Sequence, residues 1–218
     1  PGMVDANWQT LSEALRRLEQ LARDRPADPA LQLALARNVV HIAQVAGAGY
    51  RSGFVDLREV RTRLAATTQR LVALPGTGAH YAASLSVRAS IASLESLMAF
   101  QVDGDVRAAG ERSRAALALA RAARRLAPTS PETEVALGQA TIAYAGMLNA
   151  SGRGAEALAA LEPLLHGAPL AVDAHAKDLR LAAIRYDAAF MRCDIKRWLR
   201  ADDDALRECQ GMNAQLRQ

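Results

Sequence analysis

Short clusters of proline and glycine divide this 218-residue chain into segments of roughly 15 to 25 residues, a length typical of helices. Such clusters occupy 25–29, 47–49, 75–78, 103–105, 128–131, 151–154 and 167–169. Between them, apolar residues recur every three or four positions, and no segment alternates with a period of two. Alanine and leucine dominate the apolar residues, whereas aromatic residues make up only 4%. The pattern predicts an all-α fold without a sheet.

The breaks predict eight or nine helices. Asp28 and Ser130 stand before Pro29 and Pro131, an order typical of an N-cap followed by the first helical residue. The carboxylates of Asp202-Asp203-Asp204 favour the N-terminus of a last helix. The predicted helices cover 4–23, 29–45, 55–74, 79–101, a segment from the turn at 103–105 to 126, 131–150, 155–165, 171–199 and a segment after 204.

The short connections predict how these helices are arranged. Helices joined by so few residues must be antiparallel neighbours. The second and fourth are apolar on more than one face, so each needs neighbours on both sides. Stacked hairpins supply them, which predicts one right-handed α-solenoid domain over residues 1–218. Because Pro1-Gly2-Met3 is typical of a cloning remnant, we expect this domain to be a piece of a longer protein.

Charge and hydropathy exclude two classes of partner. The chain has 27 Lys and Arg against 23 Asp and Glu, a net charge of +4. Nearly all of the cations are arginines mixed with acids, and no basic block carries interleaved aromatics. We therefore expect no nucleic-acid partner. No apolar run approaches the length of about 20 residues that a membrane-spanning helix needs.

Residues with catalytic or metal-binding chemistry are scattered. The histidines His41, His80, His166 and His175 lie on or beside different helices, without the spacing of a zinc site. The glycine-rich segment 47–53 follows a helix rather than a strand, so we interpret it as a turn and not as a phosphate loop. We expect no metal, no cofactor and no catalysis. An enzyme built on a helical scaffold is the third alternative for function.

One hairpin resembles a known repeat. The small residues Gly152 and Ala157, the large Leu161 and the closing Pro169 have the spacing of the second helix of a tetratricopeptide repeat, which they resemble. Leu137-Gly138 resembles the Leu-Gly pair of the first helix, seven residues out of step. The resemblance implies that Ala157 is buried where the sixth and seventh helices meet, with Leu161 filling the space below it.

A second resemblance concerns biological context. The segment 28–36 and the hairpin around Gly152 resemble the C-terminal repeat regions of bacterial receptor-type serine/threonine kinases. This resemblance implies a sensor or docking region beyond a membrane span. The chain has no kinase motif, so it would be the non-catalytic part of such a protein. The alternative is a cytoplasmic regulatory domain of a transcription regulator.

Two cysteines bear on the compartment. Cys193 and Cys209 each lie eight residues from Ala201, near the centre of the predicted last turn. Equal distances place both at the same height in an antiparallel hairpin, where a disulfide can form. The alternative is a pair of buried free thiols. We predict the disulfide, and with it a periplasmic or otherwise extracytoplasmic location; a cytoplasmic location is the alternative.

The solenoid prediction also suggests a binding surface. We expect a protein or peptide partner to bind in a groove formed by the first helices of successive hairpins. Arginine and amide side chains on these helices suit carboxylates and peptide backbones. The alternative is that they belong to ordinary solvated helix faces. The predicted groove residues are Arg37, Asn38, His41, Gln44, Ser84, Arg88, Glu95, Gln139, Asn149, Arg180, Arg185 and Asp187.

Overall fold

The structure, a computed structural model, describes residues 2–49, 57–165, 179–199 and 207. These residues form helices and no strand, which confirms the predicted all-α class. The predicted start of the eighth helix near 171 and the predicted last helix after Asp204 lie outside the described residues. The helices are α1 (Gly2–Asp24), α2 (Pro29–Gly49), α3 (Leu57–Val72), α4 (Gly78–Gln101), α5 (Val106–Leu126), α6 (Pro131–Ala150), α7 (Gly154–Leu165) and α8 (Leu179–Trp198).

Side chains at the helix starts stabilise the turns that the sequence predicted. A carboxylate oxygen of Asp28 accepts the backbone N–H three residues ahead at 3.1 Å, and Asp105 does the same at 2.8 Å. Ser130 occupies the N-cap position of α6, but its hydroxyl makes no capping bond. Instead, the Thr133 hydroxyl donates to the carbonyls of Ala127 and Ser130 at 2.8 and 2.9 Å. The turn before α6 is therefore stabilised by a side chain from the first turn of the helix.

The turn between α6 and α7 depends on a glycine. Gly152 has φ +75°, a left-handed conformation in which a side chain is strained. This conformation lets the backbone N–H of Arg153 donate to the carbonyl of Leu148 at 2.9 Å, closing the end of α6. α7 then begins at once at Gly154. The short connection makes α6 and α7 antiparallel partners.

Helix contacts follow a simple order. Each helix packs on its neighbours in the chain, and in addition α2 packs on α4, α4 on α6, and α6 on α8. Within the described part of the chain, no comparable series joins α1, α3, α5 and α7. The even-numbered helices therefore form a continuous row, and each of α3, α5 and α7 lies against two members of that row.

The core changes in character along the chain. Between α1 and α4 it consists largely of leucine, valine and isoleucine, including Leu35, Leu64, Leu71 and Ile91; we call this the leucine core. Between α4, α5 and α6 it is built mainly from small residues: Ala89, Ala116, Ala120 and Ala140 are fully buried there together with Leu117, and we call this the alanine core.

A third cluster joins α6, α7 and α8. Ala157 and Leu161 are both 0% exposed there, against Ala145, Ala188 and Ile195. The predicted burial of Ala157 at the contact of α6 and α7 is therefore confirmed. Gly138 of α6 is also buried, and a Cβ atom at this position would overlap Cγ2 of Ile184 on α8. The absence of a side chain at Gly138 lets α6 and α8 approach closely.

Several polar side chains are buried where helices meet, and three of them join helices as follows. Ser96 of α4 donates its hydroxyl proton to the carbonyl of Ala109 on α5 at 2.8 Å. Glu134 of α6 is 0% exposed, and its Oε1 lies 2.7 Å from Nη1 of Arg124 on α5. This pair has the distance of an ion pair without the alignment of a hydrogen bond. Gln32 donates to the carbonyl of Ala22 at 2.8 Å and so joins α1 to α2.

Candidate binding groove

One face of the row of even-numbered helices carries a large concavity. It has a volume of about 1020 Å³ and is lined by the C-terminal halves of α4 and α6, by much of α8, by Gln44 of α2 and by the start of α7. We call it the apolar groove. Because these helices come from different parts of the chain, only their packing brings the lining residues together.

Large apolar side chains line the apolar groove and remain open to solvent. Leu97 and Phe100 of α4 are 42% and 36% exposed, and Trp198 at the end of α8 is 76% exposed. Leu199 follows Trp198 and is 48% exposed. Exposed aromatic and leucine side chains that share one concavity are characteristic of a binding surface, because burying them against a partner removes apolar area from water.

The ionisable groups of the apolar groove are all of one sign. Asp187 and Asp194 of α8 line it, whereas no described lysine, arginine or histidine does. Neither carboxylate forms an ion pair with a described residue. Although Asp187 is largely accessible, partial burial raises the pKa of its carboxyl group, and no cation among the described residues offsets this effect.

Amide side chains occur between the apolar residues of the groove. Gln44 of α2, Gln101 of α4, and Gln139 and Asn149 of α6 all line it. Each carries both a donor and an acceptor, so each can bond the N–H or the carbonyl of a peptide backbone. The lining therefore combines apolar contact area with hydrogen-bonding groups.

A second concavity adjoins the apolar groove. It measures about 270 Å³, and the two share Gln44, Ser90 and Gln139. We call it the polar cleft, because Arg37, His41, Glu132 and Arg180 line it. Nη2 of Arg37 lies 2.7 Å from Oε2 of Glu132, so that an ion pair links α2 to α6 across the cleft.

Seven of the predicted groove residues share these two connected concavities. Six of the seven are charged or amide side chains, and His41 is the seventh. They come from the three helices α2, α6 and α8. Because these helices belong to one row, the seven residues lie on a common face. The residues are Arg37, His41, Gln44, Gln139, Asn149, Arg180 and Asp187.

The predicted residues of α4 lie on a different face of their helix. Ser84 is fully buried, and its hydroxyl donates to the carbonyl of Leu71 in α3 at 3.1 Å. Burial raises the pKa of the half-buried Glu95 carboxyl, and the cations of Arg112 on α5 and Arg61 on α3 oppose this shift. Ser84 and Glu95 therefore face the odd-numbered helices rather than the groove. They share a face of α4, and that face is turned away from the groove.

The three remaining predicted residues line neither the apolar groove nor the polar cleft. Asn38 is exposed and donates its side-chain amide to the carbonyl of Ala34 in its own helix at 2.8 Å. Arg88 and Arg185 are half-buried, and Nε of each is buried without a hydrogen-bond acceptor.

Sequence reasoning missed the apolar part of the groove. Leu97, Phe100, Asp194 and Trp198 line it, and none was among the predicted residues. The predicted groove residues are all polar, whereas the largest exposed side chains of the groove are apolar. The usable signal was an excess of large apolar residues near the ends of α4 and α8, beyond what one buried helix face can hold.

No group of three or more histidine, cysteine, aspartate or glutamate side chains within 2–49, 57–165 and 179–199 is placed to hold a metal ion. None of the described helices has the length and apolar character needed to cross a membrane. No protein-family model, no curated protein and no solved structure matches the chain significantly.

The cysteine prediction concerns the end of the chain. Cys193 of α8 is 3% exposed and is half of a disulfide, and the described residues include no free cysteine. Its predicted partner, Cys209, lies outside the described residues. The pairing of Cys193 with Cys209 therefore stays a prediction.

Proposed function

We propose that this chain is a non-catalytic scaffold that binds a protein or peptide segment in the apolar groove. The observation that carries the proposal is the groove itself. About 1020 Å³ of concave surface is lined by Leu97, Phe100 and Trp198, which are all partly or largely exposed. Keeping such side chains in water is unfavourable, and a partner that covers them gains roughly 25 cal/mol for each Å² of apolar area removed from water.

The lining of the groove favours a peptide over a small apolar molecule. Gln44, Gln101, Gln139 and Asn149 distribute amide groups along the concavity, which suits the repeated N–H and carbonyl groups of a backbone. Its volume is at the upper end of ordinary ligand pockets, which span roughly 300–1,000 Å³. A peptide segment of several residues uses this length and these amides better than a compact molecule does.

We also propose that the helices form a right-handed, tetratricopeptide-like solenoid. The continuous row of α2, α4, α6 and α8, with α3, α5 and α7 each packed on two of its members, supports this arrangement. The buried Ala157, the left-handed Gly152 and the close approach at Gly138 support it too, because these are the small residues that carry the resemblance. The row then provides the concave face that repeat proteins use for binding.

The proposed biological setting is extracytoplasmic, as the sensor or docking region of a bacterial signalling kinase. Its support is the buried half-cystine at Cys193, because disulfides persist in oxidising compartments. A reduced protein isolated from its native host under non-reducing conditions would favour the cytoplasmic alternative instead.

A matched pair of glycine substitutions tests the binding function. Gly146 of α6 lines the groove, and a Cβ there meets only the Met191 methyl at an ordinary 3.5 Å. Gly146→Phe should therefore place a ring in the groove without distorting the helix. Gly110→Phe in α5 is the control, because nothing lies within 4 Å of a Cβ at that position. Both changes remove a helical glycine, which favours the helix by about 0.5 kcal/mol.

The probe is a phage-displayed library of random 14-residue peptides selected on the wild-type chain. We expect the selected peptides to lose at least about tenfold in affinity for Gly146→Phe and to keep their affinity for Gly110→Phe, measured by fluorescence anisotropy. Equal affinity for both variants, or no selected peptide at all, would refute binding in the groove. Thermal melts of both variants verify that each remains folded.

A further inference from the structure

The apolar groove and the whole chain differ in the sign of their charge. The chain carries 27 lysines and arginines against 23 aspartates and glutamates. Among the described residues that line the groove, however, the charged ones are Asp187 and Asp194 alone, and neither pairs with a described cation. An acidic concavity on a basic protein attracts cations locally while the remaining surface repels them.

The two carboxylates are spaced along one face of α8. Asp187 and Asp194 are separated by seven residues, which is two helical turns or about 10.5 Å along the axis. Met191 lies between them and also lines the groove, and Trp198 follows Asp194 one turn further. The groove thus presents a carboxylate, an apolar side chain, a second carboxylate and an exposed aromatic ring in sequence.

From this arrangement we infer that the groove recognises a basic peptide segment. The inference rests on the proposed function and gives it a ligand chemistry: two lysine or arginine side chains about 10 Å apart on one face, with apolar residues between them. In a helical partner that spacing corresponds to positions i and i+7. In a polyproline II segment, which has three residues per turn and a rise of about 3.1 Å per residue, it corresponds to i and i+3.

Each part of such a segment has a counterpart in the groove. The two cations pair with Asp187 and Asp194 in charge-assisted hydrogen bonds. The apolar residues between them cover Met191, Leu97 and Phe100, while an arginine at the second position also stacks on Trp198. Covering by an apolar partner desolvates the carboxylates, so a partner without cations leaves two unpaired charges at the interface.

The partial burial of Asp187 points the same way. Nearby apolar groups already raise the pKa of its carboxyl group in the free protein. A cation placed beside it stabilises the charged form and reverses this shift. A neutral or acidic partner would increase the desolvation instead.

The test uses the selected 14-residue peptides together with charge variants of the groove. In the double variant Asp187→Asn, Asp194→Asn the carboxylates are neutralised with little change in shape. The control is Glu111→Gln, which removes an exposed carboxylate on α5 that lies 3.6 Å from Arg107. Fluorescence anisotropy at low and high salt measures the affinity of each peptide.

The expected result is that selected peptides carry two basic residues at one of the two spacings. Their affinity should fall at least about tenfold in the double variant, remain unchanged in Glu111→Gln, and weaken with salt. In the charge-reversed variant Asp187→Lys, Asp194→Lys, peptides with glutamate in place of the basic residues should bind better than the original ones.

The inference and the proposed function fail in different ways. If selected peptides are blocked by Gly146→Phe but contain no basic residues, or bind the double variant as tightly as the wild type, the groove binds peptides and the inference is wrong. If Gly146→Phe changes nothing, both are wrong. A thermal melt of each variant in solution, compared with that of the wild type, excludes loss of folding as the cause of weaker binding.

Discussion

The leucine core and the alanine core solve the same packing problem with side chains of different size. In the leucine core, Leu35, Leu64, Leu71 and Ile91 interdigitate between α2, α3 and α4. In the alanine core, Ala89, Ala116, Ala120 and Ala140 are all 0% exposed between α4, α5 and α6. Side chains at the contact set the distance between helix axes, so the alanine core brings its backbones closer together.

This difference determines which substitutions destabilise each region. Large side chains contribute much apolar area, so the leucine core is sensitive to the removal of atoms. Alanines contribute little area each, and the contact depends on their small size, so the alanine core is sensitive to the addition of atoms. The alanine core also supports the candidate groove, because α4 and α6 form two of its walls.

The largest expected effect is the loss of volume from the leucine core. Leu64→Ala should lower the free energy of unfolding by about 2–5 kcal/mol, because Leu64 is 0% exposed and its removal leaves a cavity. Val72→Ala in the same helix is the control, since Val72 is 58% exposed and should change stability by less than about 0.5 kcal/mol. Urea unfolding followed by circular dichroism measures both. Equal effects would contradict the assignment of the core face of α3.

The second effect is the addition of volume to the alanine core. Ala116→Leu should cost about 1–3 kcal/mol or more, because Ala116 is 0% exposed and packs against other small residues of the alanine core. Ala118→Leu is the matched control, because Ala118 lies on the exposed face of the same helix. If Ala116→Leu melts at the wild-type temperature, α5 is not packed as closely as the structure indicates.

A smaller effect concerns the hydrogen bond between α4 and α5. Ser96→Ala should cost about 1 kcal/mol, because it removes the donor to the Ala109 carbonyl within the interface. Ser90→Ala is the comparison, since the Ser90 hydroxyl only bonds the carbonyl of Ser86 in its own helix. Chemical denaturation measures the free energy of unfolding of both variants. A larger decrease for Ser90→Ala than for Ser96→Ala would contradict the observed hydrogen bonds.

The smallest effect is a pH dependence of the contacts around α4. Burial raises the pKa of Glu95 in the folded protein above its unfolded value. The folded state therefore binds the proton more readily, and the contribution of Glu95 to stability is lost as the pH rises through the raised pKa. The stability of Glu95→Gln relative to that of the wild type should therefore be greater at neutral pH than at acidic pH.

Thermal melts of the wild type and Glu95→Gln across the acidic to neutral range measure this difference. Glu13→Gln is the opposite control, because Arg16 and Arg17 lower the pKa of Glu13 to about 2. Its contribution is present above the unfolded pKa and disappears only as the pH falls toward the lowered one. A Glu95→Gln curve parallel to that of the wild type would show that Glu95 is solvated in the folded protein.

The local sequence predicted the helices well, because helix breaks depend on neighbouring residues alone. The end of α5 at Leu126 and the start of α6 at Pro131 follow from the cluster at 128–131. The end of α2 was less well predicted, since the helix continues to Gly49 beyond the predicted 45. A helical glycine costs only about 1 kcal/mol, so Gly47 and Gly49 do not suffice to end a helix.

The face of a helix is where local reasoning ended. Ser84 and Glu95 have the same spacing whether they face a partner or the neighbouring helices, and the apolar residues of α4 lie on more than one face, so they do not indicate which side is buried. On α2 and α6 the predicted polar residues other than Asn38 did line the apolar groove or the polar cleft, because both helices belong to the row that carries these concavities.

The sequence by itself determined the all-α class and most helix limits, since these depend on periodicity and turn residues within short segments, and the repeat resemblance implied the burial of Ala157. Only the tertiary structure decided that Phe100, Asp187 and Trp198 line one groove. The physical reason is that the rotation of each helix about its axis is set by the packing of all its neighbours together, and no single segment contains that information.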